Sequence, residues 1–208
     1  RPYSAGDLAG KRECKLDLMR EMGLEPRLAS RPLIGIVSRF AAQKGFDLLT
    51  GSGEELAREQ ATLVALGSGE PRYEQIFRRL AESHPENVRV RIGYDNPLAH
   101  RIEAGADLFL MPSRYEPCGL SQIYSLRYGT IPVVRATGGL DGTITEATGF
   151  KFSEYSGPAL LGAVREALAA FARRDKWTAR MKRAMREDFS WGVSAAAYSA
   201  LYRRLRME

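Results

Sequence analysis

Two basic side chains follow the first strongly apolar segment of the chain. Arg39 and Lys44 lie five residues apart in Ser-Arg-Phe-Ala-Ala-Gln-Lys-Gly, directly after the run Leu-Ile-Gly-Ile-Val at 33–37. A guanidinium group can contact a phosphate through two N–H donors, and an ammonium group acts as a compact point charge. Gly45 lets the backbone turn into a helix, whose N-terminus also favours anions. The pair predicts a diphosphate site, and two ordinary surface cations are the alternative interpretation.

An acid in a turn rich in proline and glycine follows a later apolar run. Glu116 belongs to Tyr-Glu-Pro-Cys-Gly-Leu-Ser, and the run Leu-Phe-Leu-Met at 108–111 precedes it. A carboxylate can accept hydrogen bonds from sugar hydroxyls, and the free N–H groups at a helix start can hold a hydroxyl or a phosphate oxygen. Ser121 adds a hydroxyl at that start. A helix-capping turn, in which Glu116 favours the helix dipole, is the alternative.

A third loop has two adjacent glycines, Gly138 and Gly139, after Thr137 and the apolar run at 131–134. Glycine lets a backbone approach a ligand closely. A pair of glycines is common in turns, but all three loops follow apolar runs that are expected to be strands. If those strands are parallel, the loops leave the same edge of one sheet and can meet around one ligand.

The elements that must position these loops alternate along the chain. Short apolar runs predict strands, and amphipathic segments between them predict helices. This alternation predicts an α/β fold, a Rossmann-like doubly wound parallel sheet with helices on both faces and a helical C-terminal tail. The predicted strands are 33–37, 62–66, 88–92, 108–111 and 131–134, with a further short strand at 149–152.

Three segments carry specific expectations. The segment 88–92 alternates apolar and basic residues, which predicts a half-exposed strand near the edge of the sheet. Pro132 has no N–H to donate to a ladder, so its strand is expected to begin at or after it. The segment 193–205 has one apolar helical stripe, which either covers this sheet or docks onto a partner.

Composition limits the class of partner. The 208 residues suffice for one sizeable α/β domain. The net charge of +6 suits phosphate-bearing partners, but the basic residues form no long run, so nucleic acid is not expected. No apolar run approaches the roughly 18 residues that span a bilayer, so no membrane association is expected. The start Arg-Pro-Tyr, without Met, indicates an excised piece of a longer protein or a processed N-terminus.

The cysteines and histidines argue against a metal site. Cys14 and Cys118 are far apart, and neither His84 nor His100 has a metal-ligating residue at i+4. This spacing indicates neither a zinc site nor a disulfide framework, and it favours a reducing compartment. Cys118 lies in an apolar turn and is interpreted as a packing thiol rather than a nucleophile.

Taken together, these segments resemble the C-terminal domain of bacterial glycogen synthases and plant starch synthases. The motif Glu-Pro-Cys-Gly-Leu at 116–120 is specific, and the resemblance runs over nearly the whole chain. The matching stretches are 37–39, 43–45, 66–69, 92–94, 106–107, 111–122, 128–130, 137–140 and 188–191.

The resemblance implies a two-domain, retaining glycosyltransferase of the GT-B type, which moves glucose from ADP-glucose to an α-1,4-glucan. It implies that Arg39 and Lys44 bind the diphosphate, in place of the metal that other transferases use, and that Glu116 holds the transferred glucose. No cofactor or metal is therefore expected. The donor-binding residues that it implies are Tyr94 against the nucleotide, the backbone of Cys118, Gly119 and Leu120 at sugar and phosphate, Ser121 at a phosphate, and Thr137, Gly138 and Gly139 along the cleft.

Some alternatives stay open beside the resemblance. Tyr94 has a second interpretation as an aromatic that covers the sheet edge. Many relatives of this architecture carry a second Glu eight positions after the first, and Tyr124 stands there in this chain, which puts ribose recognition in doubt. A sucrose- or trehalose-type transferase that uses a UDP-sugar, and a non-catalytic nucleotide-binding module, are the competing functions.

The resemblance also implies a domain organisation. Residues 1–188 are expected to form the domain that binds the sugar nucleotide, and residues 189–208 a helix that packs on or towards an absent N-terminal domain. That domain would hold the α-glucan acceptor and supply a catalytic His, whose motif neither His84 nor His100 matches. The chain alone is expected to bind ADP weakly and to transfer no glucose. The expected compartment is the bacterial cytoplasm, or the plastid in a plant.

Overall fold

The computed structural model describes residues 2–206, which fold around a six-stranded parallel sheet. The strand order is β3-β2-β1-β4-β5-β6, and every neighbouring pair is parallel. The order reverses between β1 and β4, which is where such sheets bind ligands. The strands are β1 (Leu33–Val37), β2 (Thr62–Gly67), β3 (Val88–Ile92), β4 (Leu108–Met111), β5 (Ile131–Arg135) and β6 (Phe150–Phe152).

Helices cover both faces of this sheet, as predicted. Along β1, Ile34 and Ile36 contribute to the larger core cluster and Leu33 to the smaller one, because successive strand residues point to opposite faces. The larger core includes apolar residues of α2, α3 and α7, and the smaller includes those of α1 and α4. The helices are α1 (Ala9–Glu21), α2 (Leu48–Arg58), α3 (Pro71–Ser83), α4 (Asn96–Gly105), α5 (Ser121–Arg127), α6 (Gly138–Thr143), α7 (Gly157–Ala172), α8 (Arg174–Ala184) and α9 (Trp191–Leu205).

The expectation that β5 begins at or after Pro132 is wrong. The strand begins at Ile131, and Pro132 pairs with Phe109 of β4. The Ile131 N–H donates to the Asp107 carbonyl at 2.9 Å, on the β4 side. The backbone nitrogens of successive strand residues face opposite neighbouring strands, so the Pro132 nitrogen faces β6. The pairing of β6 with β5 begins only at Val133. The missing N–H therefore costs no ladder bond.

The two edges of the sheet agree with the sequence pattern. Strand β3 lies at one edge, with Val88 buried and Arg91 exposed, as the alternation predicted. The short strand predicted at 149–152 is β6, at the other edge. The site-bearing strands β1 and β4 are consequently interior strands with neighbours on both sides, which holds their carboxyl ends in place.

Two buried lysines hold α1 at the amino-terminal ends of the strands, opposite the end at which the three loops leave the sheet. Lys15 Nζ lies 2.6 Å from Asp107 Oδ2 and donates to the Arg31 carbonyl at 2.5 Å. Lys11 Nζ donates to two carbonyls and to the Thr130 hydroxyl, at 2.8 to 3.0 Å. Burial lowers the pKa of Lys11 to about 7. These contacts satisfy charges that would otherwise be costly to bury.

The last helix does not cover this sheet. None of the described residues of α9 is buried, and its apolar stripe from Val193 to Leu205 faces solvent, with Trp191 at its start. Of the two alternatives for that stripe, the one in which it packs on this domain is therefore wrong. Within residues 2–206, no helix has the length and apolar character that a membrane span requires.

Candidate functional site

A cavity of about 340 Å³ opens at the carboxyl ends of β1 to β4, beside the point where the strand order reverses. Val37 and Met111, the last residues of β1 and β4, contribute apolar walls together with Leu66 of β2. A pocket with apolar walls and a few convergent polar groups is the usual form of a small-molecule site. Four residues predicted from sequence line it: Arg39, Lys44, Tyr94 and Ser121.

Lys44 and Glu116 form an ion pair at this cavity. Lys44 Nζ lies 2.5 Å from Glu116 Oε2, although the two residues are 72 positions apart in sequence. The Glu116 side chain is 9% exposed and that of Lys44 is 20% exposed. The Ser113 hydroxyl also donates to Oε2, at 3.4 Å, whereas Oε1 has no partner in the part of the chain that the structure describes. An ion pair this sheltered adds little net stability. Lys44 lines the cavity and Glu116 does not, so the buried carboxylate orients the ammonium group that faces the cavity.

Arg39 is the second cation of the site. Its side chain is exposed, lines the cavity, and has neither a hydrogen bond nor an ion pair with any other described residue. A guanidinium without an internal partner keeps all its donors available to a ligand. The two cations therefore differ: a carboxylate orients Lys44, whereas no described side chain orients Arg39.

Gly45 brings the two loops together. Its φ is +76°, and an added Cβ would lie 1.8 Å from the Pro112 carbonyl oxygen, so only glycine fits between the two backbones. Next to it, the Arg114 N–H donates to the Gln43 carbonyl at 2.9 Å. The β1 loop therefore packs directly on the β4 loop, which places Lys44 opposite Glu116.

The adjacent glycines lie behind the acidic turn. The Gly139 N–H donates to the Glu116 carbonyl at 2.9 Å, and a Cβ on Gly138, whose φ is +48°, would lie 2.2 Å from the same oxygen. Neither these glycines nor Thr137 lines the 340 Å³ cavity, because they form the start of α6 and contact the turn instead. Their proposed contact with a ligand stays a prediction.

A comparison with protein families connects this arrangement to a known chemistry. The family described as Glycosyl transferases group 1 matches residues 25–184, a range that contains all three loops and every predicted site residue. The chain belongs to the group 1 glycosyltransferases.

Individual relatives of this glycosyltransferase chain are similar over nearly all of its length. The glycogen synthase of Koribacter versatilis is 55% identical over 98% of the chain and 43% of its own length. That of Anaeromyxobacter sp. strain Fw109-5 is 54% identical, over 98% of the chain and 44% of its own. The chain thus spans less than half the length of the curated relatives it matches.

Solved structures of glycosyltransferases share the fold. The catalytic domain of starch synthase IV from Arabidopsis thaliana, bound to ADP and acarbose, has a TM-score of 0.88 and 34% identity, covering 97% of this chain and 44% of that one. A sucrose-phosphate synthase from Thermosynechococcus elongatus has a TM-score of 0.68 and 25% identity, covering 92% and 49%.

In this glycosyltransferase domain, the β3 exit carries Tyr94 at the rim of the cavity. Its side chain is 90% exposed, so it does not cover the sheet edge, and that alternative is wrong. An exposed aromatic ring beside a cavity is available for stacking on a flat ligand group. The assignment of Tyr94 to the nucleotide stays a prediction.

Hydrogen bonds from Gln122 stabilise the turn from Cys118 to Ser121. Its Nε2 donates to the carbonyls of Cys118 and Gly119 at 2.9 and 3.0 Å. Cys118 and Leu120 are exposed at the surface, and Ser121, the first residue of α5, lines the cavity. The interpretation of Cys118 as a packing thiol is wrong, because the turn presents that side chain outward.

Sequence reasoning missed the residue that anchors the cation-bearing loop. Glu70 Oε1 accepts the Ala42 N–H at 3.0 Å, and Arg72 donates twice to Oε2, at 3.0 and 2.7 Å. The backbone hydrogen bond from Ala42, together with Arg72, lowers the pKa of Glu70, so the anchor stays charged. An acid directly after the glycine-rich end of β2, at the same sheet edge as Arg39, was the available signal.

The described residues contain no group of three or more His, Cys, Asp or Glu side chains placed to hold a metal ion. Among the described residues that line the cavity, Arg39 and Lys44 are the ones that could neutralise a phosphate. The expected independence from metal stays a prediction.

Proposed function

We propose that this chain is the donor-binding half of a retaining glucosyltransferase that moves glucose from ADP-glucose to an α-1,4-glucan. The observation that carries the proposal is that Lys44, paired with Glu116 at 2.5 Å, lines together with Arg39 a cavity at the switch point of the sheet. Two glycogen synthases more than half identical to the chain support a glucan-synthesising enzyme, and the starch synthase structure bound to ADP and acarbose supports an ADP-linked donor.

The chemical problem of such a transfer is the departure of ADP from the anomeric carbon. Negative charge grows on the leaving phosphate oxygen, and fixed cations aimed at that position lower the barrier. Arg39 and Lys44 supply two positive charges from one loop, which Glu70 and Gly45 hold in place. This is the task that a bound metal performs in other transferases.

Glu116 serves the sugar side of the same bond. Its Oε2 is occupied by Lys44 and Ser113, so the available Oε1 is the atom that accepts a hydroxyl hydrogen of the transferred glucose. Lys44 then contacts both the diphosphate and the acid that holds the sugar. The carboxylate, or a nearby backbone carbonyl, eases the positive charge that develops on the sugar ring.

Nucleotide titration of this chain by calorimetry tests the proposal. We expect ADP to bind weakly, UDP to bind less well, and Arg39→Ala to reduce ADP affinity, because a charge facing the diphosphate is lost. We also expect no glucan elongation by the chain alone. A preference for UDP would favour the UDP-sugar alternative, and absence of any nucleotide binding would overturn the proposal.

The role of Glu116 separates an enzyme from a nucleotide-binding module. Glu116→Ala is expected to weaken ADP-glucose binding much more than ADP binding, because the acid contacts the sugar directly and affects the diphosphate only through Lys44. A module that only binds nucleotides would lose the same affinity for both ligands. Thermal unfolding of the variant provides the check that the fold is intact.

The acceptor glucan is proposed to bind through an N-terminal half, onto which α9 docks its exposed stripe. Deleting residues 189–208 from this chain is expected to change the unfolding temperature by less than about 2 °C, because α9 has no buried side chain. Trp177→Ala, a change at a buried ring of α8, is the contrasting variant and is expected to lower it clearly. A large drop on deletion would contradict the assignment of α9 to another domain. The compartment, cytoplasm or plastid, stays a prediction.

A further inference from the structure

Tyr155, in the loop between β6 and α7, is the centre of a cluster of charged side chains. The Arg114 guanidinium lies 4.6 Å from the centre of its ring, and that of Arg135 lies 5.2 Å away. Its hydroxyl donates to Asp47 Oδ1 at 2.6 Å. Burial and this hydrogen bond raise the pKa of Tyr155 to about 12, so the hydroxyl remains a donor. We call Tyr155, Arg114, Arg135 and Asp47 the Tyr155 cluster.

The members of the Tyr155 cluster come from four separate segments. Asp47 lies two residues after Gly45, and Arg114 lies two residues before Glu116. Arg114 Nη2 donates to Asp47 Oδ2 at 3.0 Å, and Arg135 Nη1 donates to the Arg114 carbonyl at 2.6 Å. The cluster therefore joins the loop that carries Lys44 to the loop that carries Glu116.

Hydrogen bonds between the same two loops lie next to this cluster. Besides the bond from the Arg114 N–H to the Gln43 carbonyl, Gln43 Nε2 donates to the Tyr115 carbonyl at 3.2 Å. The exposed pair of Arg114 and Asp47 would by itself add little. Cation–π contacts with a shared ring, and a short hydroxyl–carboxylate bond, make it part of a network whose members orient one another.

We propose that Tyr155 is a positioning residue, which acts through Asp47 and Arg114 to hold Lys44 and Glu116 in register at the diphosphate. The inference rests on the proposed function, since the diphosphate is the group that Lys44 would meet. Tyr155 itself does not line the cavity. Its loss therefore acts on ligand binding only through the geometry of the Lys44–Glu116 pair.

A double-mutant cycle on ADP affinity tests this coupling. Tyr155→Leu is expected to raise the Kd for ADP about tenfold, because it removes both the hydroxyl–carboxylate bond and the cation–π contacts. Tyr155→Phe, which loses the hydroxyl but keeps the ring that both guanidinium groups contact, is expected to have a smaller effect. In a Lys44→Met background, Tyr155→Leu should add nothing, because residues acting through one another are not additive. Additive effects, or an unchanged Kd in folded Tyr155→Leu, would overturn the inference.

A matched pair of carboxylates provides the control. Asp47 and Glu59 flank α2, and each pairs with an arginine, Glu59 Oε1 accepting from Arg165 Nε at 2.7 Å. Asp47→Ala is expected to weaken ADP binding as Tyr155→Leu does, and Glu59→Ala to leave it unchanged. Equal effects of the two substitutions would mean that the loss is one of general stability, and the inference would fail.

A second measurement separates this inference from the proposed function. Chemical acetylation of Lys44, followed by mass spectrometry without nucleotide, is expected to speed up several-fold in Tyr155→Leu as the pair loosens. Lys15, paired with Asp107 at the opposite edge, is the internal reference and should not change. An unchanged rate at Lys44 would overturn the positioning role, whether or not the chain binds ADP. Failure of the unaltered chain to bind ADP would overturn the proposed function alone.

Discussion

Lys44→Met is expected to lower the turnover of glucosyl transfer on the order of 100-fold, the typical loss when one oriented charge donor is removed from a transition state. The measurement is kcat in a protein that joins this chain to the proposed acceptor-binding half. The loss should fall mainly on kcat, because the negative charge on the leaving phosphate is largest in the transition state. Methionine keeps the length of the side chain, so the missing charge is the main change.

Lys151→Met is the matched control for this prediction. Lys151 also pairs with a carboxylate, with Nζ 2.7 Å from Asp141 Oδ1, but it lies on β6 outside the cavity. Its replacement should leave kcat unchanged. Because Lys44→Met also leaves the buried Glu116 without its partner, the double variant Lys44→Met/Glu116→Gln should recover thermal stability but not turnover. Turnover within threefold of the unaltered protein in Lys44→Met would contradict the assigned role.

Gly45→Ala is expected to destabilise the fold by about 3 kcal/mol or more. The residue has a φ of +76°, and its Cβ would meet the Pro112 carbonyl oxygen at 1.8 Å, so the backbone of one loop must move. Denaturant unfolding of this chain measures the change in the free energy of unfolding. Failure of the variant to fold at all agrees with the prediction, and a loss below about 1 kcal/mol contradicts it.

Gly51→Ala provides the contrast within the same region. Gly51 lies in α2, and no heavy atom stands within 4 Å of the position its Cβ would take. Alanine in an exposed helix position is favoured over glycine by about 0.5–1 kcal/mol, so this variant should be slightly more stable than the unaltered chain. If Gly45→Ala lowers the free energy of unfolding and Gly51→Ala raises it, the contact with the Pro112 carbonyl, and not the exchange of glycine for alanine, decides the effect.

Much of the fold could be predicted from local pattern. Strands such as β1 and β4 are buried on both faces, so they read as unbroken apolar runs, and β3 alternates because it lies at an edge. The parallel order then follows from the alternation of strand and helix. It also places the loops that carry Arg39, Lys44 and Glu116 at one edge, as the structure has them.

The remainder depends on contacts between distant positions. Lys44 contacts Glu116 although 72 residues separate them in sequence. The contact depends on close backbone packing at Gly45 and Gly138, which no local sequence pattern indicates. Tyr155 looks like an ordinary loop residue until the fold brings it to Asp47, 108 positions away. The prediction at Pro132 was wrong for a related reason. Whether the strand can contain a proline there depends on where β6 begins to pair with β5.

The backbone-to-backbone contact at Gly45, and the similar one at Gly138 behind the acidic turn, restrict how the proposed nucleotide preference can be redesigned. The loop that carries Arg39 and Lys44 and the turn that carries Glu116 are in direct backbone contact. A substitution that changes the backbone of one therefore also moves the other. Changes of nucleotide preference must instead come from positions whose side chains project into open space at the rim. Ser68 and Tyr94, both exposed along the cavity, are such positions and are the rational starting point for a library.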